Sequence, residues 1–247
     1  MNSNKDLFDR PEPAGKGNMP FLDHVEELRW RLIKSISAVA VMGIIAFIFA
    51  DYLYEFITYP LGDVKLHFTE ITGSFYAYLK ISIFAGIFGA IPIVFYQLWR
   101  FVTPGLYARE KSVIIPLVIF STILFLVGAS FCFFIVLPFA IKFLISYGEG
   151  VMTPIITISS YISFAGLLLV AFGLAFELPV VGYFFGRIGL LSSKTLGKGR
   201  PYAIVAFLIL AAVLSPPDIF TQVLLAGPLY LLYELTILIV RLTGTKK

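Results

Sequence analysis

The sequence predicts an all-α membrane protein that crosses the bilayer six times. Hydrophobic residues make up 59% of the 247-residue chain and charged residues 14%, whereas soluble domains carry about a quarter charged residues. The apolar residues also come in uninterrupted runs, and runs of about 18 or more predict helices that span a bilayer. We therefore expect one polytopic domain over residues 19–242, with a disordered leader over 1–18 and a short tail over 243–247.

A charged, amphipathic helix is predicted just before the first apolar run, over residues 20–32. Apolar residues recur there at offsets of four, three and four: Phe21, Val25, Leu28 and Leu32. Such a stripe predicts a helix lying on the membrane surface. Glu27 and Arg31 are four residues apart, the spacing of an ion pair on a helix. The simplest interpretation is that these charges solvate the helix. The crowding of Asp23, Glu26 and Glu27 instead favours a cationic partner.

Six apolar stretches follow in order: Ile33–Ala50, Ser74–Trp99, a helix within Ser112–Ile141, Ser160–Phe185, Tyr202–Leu214 and Ile219–Val240. The fifth is bracketed by prolines, and its 13 residues span roughly 20 Å, against a hydrocarbon core of roughly 30 Å. The sixth contains Pro228 and reaches Glu234 after 15 residues. Both are therefore predicted to be short. Two alternatives stay open: the prolines could lie in the membrane, shielded by neighbouring helices, or the pair could form a re-entrant hairpin.

Basic residues predict the orientation. Sixteen of the 19 Lys and Arg residues lie before or at the very start of the first stretch, between the second and third, between the fourth and fifth, or after the sixth. Because cytoplasmic loops are enriched in Lys and Arg, both termini are predicted to be cytoplasmic.

Polar residues inside the apolar stretches are candidates for function, because such residues are costly in lipid. Glu177 interrupts the fourth stretch, and Pro179 should kink the helix there. We expect Glu177 to face a polar cavity, with a structural hydrogen bond to a neighbouring helix as the alternative. Gln97, in the second stretch, is a further candidate with a structural alternative. Asp218 is expected to end the fifth helix and cap the sixth.

Five motifs follow one another along the chain: FLDHVEELRWRL, LWRFVTPGLYAREK, FGLAFELP, GKGRPY and LSPPDIFTQ. Together, over about residues 20–240, they resemble the TatC family, the multi-spanning core and receptor of the twin-arginine protein translocase. This resemblance implies a concave, glove-like bundle in a bacterial cytoplasmic membrane. It also implies an oligomeric complex with TatA and TatB single-span subunits, driven by the proton-motive force.

The resemblance also assigns roles to particular residues. It implies that twin-arginine signal peptides of folded cargo bind Glu27, or its neighbour Glu26, together with Glu110 and the aromatic Phe101. The carboxylates suit this role because they match the planar fork of a guanidinium. Without the resemblance, Glu110 would be interpreted as pairing with Arg109 and Lys111. Helices five and six resemble the docking site for TatA and TatB, which includes three residues of the motif between them: Pro216, Pro217 and Asp218.

Other classes of protein are less compatible with the sequence. A phosphate-binding loop is missing, since TLGKGR lacks the upstream glycine and the following Ser or Thr. His24 and His67 both lie outside the predicted stretches, so no catalytic residue or metal site is expected. No cofactor or nucleic-acid partner is expected either. The expected partners are membrane lipids and other proteins. One alternative function is a proton-coupled transporter of a small solute with Glu177 as carrier.

Overall fold

A computed structural model describes residues 21–62, 64, 66–102, 114–146, 155–215 and 219–243. The predicted leader, Glu110 and the Pro216, Pro217, Asp218 segment lie outside the described residues. Ten helices and one pair of very short strands make up the described part. Five helical stretches are long and apolar enough to cross a membrane: Asp23–Ile48, Gly73–Val102, Ile114–Ser146, Ile158–Arg187 and Ile219–Thr243. Arg200–Leu214 is shorter, so crossing six times stays a prediction.

Helix α1 runs without a break from Phe21 to Ile48. The predicted surface helix and the first predicted span are therefore one element, because no proline or glycine separates them before Gly43. The predicted apolar stripe does not pack on the rest of the chain: Val25, Leu28 and Leu32 are about half exposed. The neighbouring polar face, which carries His24, Glu27 and Arg31, is the one that packs on the protein.

Helix α3 (Gly73–Val102) packs along α1 as the most extensive helix pair of the described fold. Two glycines allow this close approach. A Cβ atom on Gly86 would lie 2.6 Å from the backbone nitrogen of Gly43 and 2.8 Å from the carbonyl oxygen of Val39. Small residues at helix contacts are typical of membrane bundles, because they bring backbones within van der Waals range.

The core forms where α3 meets the third and fourth long stretches. The third comprises α4 (Ile114–Phe131), a π-helical turn at Cys132–Val136 and α5 (Leu137–Ser146). Phe125 on α4 and Phe172 on the next long stretch are fully buried. Gly173 makes room for the Phe125 ring, since a Cβ there would lie 2.6 Å from it.

The fourth stretch breaks where the sequence predicts it. Helix α6 (Ile158–Ala175) ends just before Glu177, and α7 (Leu178–Arg187) begins just after it, with Pro179 as its second residue. Proline suits the first turn of a helix, where its missing N–H has no partner to lose.

At the end of the bundle far from Glu27, short helices and strands connect the long helices. Helix α2 (Ala50–Thr58) and a 3-10 turn (Tyr59–Leu61) lead to β1 (Leu66–His67), which pairs in parallel with β2 (Ile156–Thr157). The Tyr161 hydroxyl on α6 donates to the Ile57 carbonyl oxygen at 2.5 Å. The prediction of an all-α fold therefore misses one pair of two-residue β-strands.

Helices α8 (Ser193–Lys198), α9 (Arg200–Leu214) and α10 (Ile219–Thr243) complete the fold. The fifth predicted helix is short, with 15 residues in α9. The prediction of a short sixth helix is wrong: α10 has 25 residues, about 37 Å, and passes through Pro228 and Glu234. Glu234 lies within the helix and pairs with a basic residue of α9.

Candidate functional site

A polar cluster lies between the first residues of α1 and the last turns of α3. We call it the α1–α3 cluster and define it as His24, Glu27, Arg31, Gln97 and Phe101. The three α1 residues follow at offsets of three and four, which places them on one helix face. Gln97 and Phe101 are four apart on α3 and share a face in the same way. The close contact of α1 and α3 brings the two faces together.

Glu27 is the centre of this cluster. Arg31 Nε donates to Glu27 Oε1 at 2.9 Å, and Arg31 Nη2 contacts the same oxygen. The ion pair predicted from the four-residue spacing is therefore present. The His24 Nδ1 atom lies 3.9 Å from Glu27 Oε2. The Glu27 side chain is 24% exposed and that of Arg31 11%.

Two side chains of α3 contact the charged residues of α1. Arg31 Nη1 donates to Gln97 Oε1 at 3.4 Å. The rings of His24 and Phe101 stack with centroids 4.3 Å apart and planes 12° from parallel. Glu26, by contrast, is exposed, as is Asp23. Of the neighbouring acids, Glu27 is therefore the one built into the contact between the helices.

A second polar group lies deeper, around Glu177. This side chain is 7% exposed, and its Oε1 atom has no hydrogen-bond partner in the described part of the chain. Its carboxyl lies beside the buried Ser121 hydroxyl of α4. Ser121 Oγ in turn accepts a 2.9 Å hydrogen bond from Trp99 Nε1 of α3. Glu177 thus joins three helices, whereas Gln97 belongs to the α1–α3 cluster.

Two further polar contacts are not apparent from the sequence. Arg200 and Glu234 form a two-point ion pair, with Nε–Oε1 at 2.6 Å and Nη2–Oε2 at 2.8 Å, and the Tyr230 hydroxyl donates to Glu234 Oε1 at 2.7 Å. Lys80 on α3 donates to the hydroxyl oxygens of Ser159 at 2.7 Å and Ser163 at 2.8 Å. Arg200 and Glu234 are 34 residues apart, and Lys80 and Ser159 are 79 apart, so helical spacing in the sequence cannot predict these contacts.

Long apolar helices with charge restricted to a few clusters define a multi-pass α-helical membrane protein. A family model described as "Sec-independent protein translocase protein (TatC)" matches residues 23–228. The chain belongs to the TatC family.

Individual relatives agree with this assignment. The TatC proteins of Desulforapulum autotrophicum and Aquifex aeolicus are each 42% identical to the chain, over 92% and 93% of its length and 86% and 98% of theirs. A solved structure, described as "Crystal Structure of Twin Arginine Translocase Receptor- TatC", superposes with a TM-score of 0.82 at 42% identity. The match covers 89% of this chain and 99% of that one. The alternative of a small-solute transporter has no support in these similarities.

Proposed function

We propose that this chain is a receptor for twin-arginine signal peptides and the core of a translocase that exports folded proteins. One observation carries the proposal: Glu27, partly exposed at one end of the bundle, already binds a guanidinium through its carboxylate. The same chemistry would bind an arginine of a peptide. The proposal is consistent with the similarity to a solved protein that is itself described as a twin-arginine translocase receptor.

Two adjacent arginines require a second acceptor near Glu27. We assign this role to Glu110, which lies in the family motif eight residues beyond the end of α3. Phe101, stacked on His24 next to Glu27, would contribute an aromatic surface for the peptide backbone. Glu26 is exposed, and we assign it to long-range attraction of the cationic peptide rather than to direct contact.

The rest of the complex is proposed from the family and from the distribution of charge. Both termini would lie on the cytoplasmic side of a bacterial inner membrane, where the basic residues concentrate. Single-span TatA and TatB subunits would dock on α9 and α10 near the Pro216, Pro217 and Asp218 segment. Glu177 would accept a hydrogen bond from the signal peptide or from such a subunit, and the proton-motive force would drive transport.

Peptide binding tests the receptor proposal directly. The full chain is reconstituted in nanodiscs, and affinities are measured for a twin-arginine peptide and its twin-lysine counterpart. Glu27→Gln and Glu110→Gln should each weaken twin-arginine binding by about tenfold or more, because each removes a charge-assisted hydrogen bond. Glu55→Gln is the matched control, since Glu55 is exposed on α2, at the other end of α1. Twin-arginine binding that survives both substitutions would rule out the receptor site.

A further inference from the structure

The carboxylate assigned to the signal peptide is already occupied by the protein's own arginine. Arg31 uses both Nε and Nη2 on Glu27 Oε1, while Glu27 Oε2 faces His24. A carboxylate receives a guanidinium best through two parallel hydrogen bonds, one to each oxygen. An incoming arginine cannot make that arrangement while Arg31 holds Oε1.

We propose that Arg31 is an internal competitor for the signal-arginine site and leaves Glu27 when a peptide binds. This inference rests on the proposed function, because it assumes that Glu27 receives the peptide. It adds a residue that sets the affinity of the site without touching the ligand in the bound state.

Gln97 provides the alternative position for Arg31. The side chain of Arg31 is 11% exposed, so releasing it without a partner would leave a buried charge unpaired. Its Nη1 atom already lies 3.4 Å from Gln97 Oε1, at the long end of hydrogen-bonding distance. A small movement of Arg31 away from Glu27 shortens that contact and gives the guanidinium a neutral acceptor.

Competition of this kind has a recognisable signature. A twin-arginine peptide must break the Arg31–Glu27 pair to reach both carboxylate oxygens, whereas a lysine ammonium can bind Oε2 alone. The pair should therefore lower the affinity for the twin-arginine peptide more than that for the twin-lysine peptide. Ion pairs with partial exposure have modest strength, and removing this one should tighten binding by about two- to fivefold. A residue that only held Glu27 in position would act in the opposite direction.

The test measures both peptides on Arg31→Gln in nanodiscs of neutral lipid. We expect the twin-arginine affinity to rise about two- to fivefold and the twin-lysine affinity to rise less, with Arg31→Lys between Arg31→Gln and the parent. Lys34→Gln is the matched control, because it removes one exposed positive charge from the same helix one turn away. An equal gain in Lys34→Gln would reduce the effect to general electrostatics and overturn the inference.

Gln97→Leu provides an independent test. It should weaken binding in the parent protein, where the released Arg31 needs an acceptor, and leave binding unchanged in Arg31→Gln. Unchanged or weaker binding by Arg31→Gln would overturn the competitor role. If Glu27→Gln still abolished binding in that case, the receptor proposal would survive; if Glu27→Gln had no effect, the receptor proposal itself would fail.

Discussion

At the scale of single residues, Glu27 has partners on its own helix and lies beside side chains of α3. The Glu27–Arg31 pair followed from helical spacing, because both residues lie on one helix. The contacts of Gln97 and Phe101 with that pair depend on how α1 and α3 rotate against each other. Nothing local in the sequence encodes that rotation. Glu110 lies outside the described residues, so its role stays a prediction.

We expect the buried Glu177 carboxyl to lower the stability of the fold and to be needed for export. It is buried, one of its carboxyl oxygens has no partner among the described residues, and such groups cost about 1–3 kcal/mol. We expect Glu177→Leu to raise the thermal midpoint of the detergent-solubilised protein while lowering export of a twin-arginine substrate. Glu177→Gln, which keeps the shape and replaces the carboxyl group by an amide, should fall between. A lower midpoint in Glu177→Leu would mean that the carboxyl has a structural partner.

At the scale of elements, uninterrupted apolar runs predict most of the helices, but the prediction that the sixth helix is short is wrong. Glu177 with Pro179 does mark a break, because proline cannot continue the hydrogen-bond ladder of α6. Glu234 does not mark an end: α10 continues through it, and Arg200 and Tyr230 bind its carboxylate. Glutamate is a good helix former, so an acid inside an apolar run need not end the helix, whereas a nearby proline can.

The α1–α3 contact should be sensitive to any side chain at Gly86. A Cβ there would lie within 3 Å of α1 backbone atoms, which cannot move as a flexible side chain can. We expect Gly86→Val to cost about 2 kcal/mol or more through overpacking. The measurement is the thermal midpoint in detergent, with Gly227→Val as control. Nothing lies within 4 Å of a Cβ at that helical position. Equal effects of the two substitutions would point to helix propensity instead of helix contact.

At the scale of the whole molecule, composition and family motifs predicted a multi-pass helical protein of the TatC family, and both are confirmed. The number of crossings is harder to predict from composition. Helix α9 is about 22 Å long, less than a bilayer core of roughly 30 Å, and length alone does not decide whether it spans. Neighbouring helices and local thinning of the bilayer decide that, and neither is written in the sequence.

If the chain crosses six times, the two ends of α9 lie on opposite sides of the membrane. Cys132 is the single cysteine and is fully buried, so it should not react and needs no replacement. Cysteines introduced at exposed Lys194 and Phe220 should then label from opposite sides with an impermeant maleimide. Labelling of both from the same side would show that α9 and its connection re-enter without crossing.

The backbone ladder between β1 and β2, with the Tyr161–Ile57 bond, ties the connection after α1 to the start of α6. Helix α3 also packs along α1, with a close backbone approach at Gly43 and Gly86 near this tied end. Glu27 lies 21 residues from the tied end of α1, about 32 Å away, so a tilt of about 5° would move it by about 3 Å. That is the length of one hydrogen bond, so a slight lean of α1 would suffice to pull Arg31 from Gln97 or press the two together.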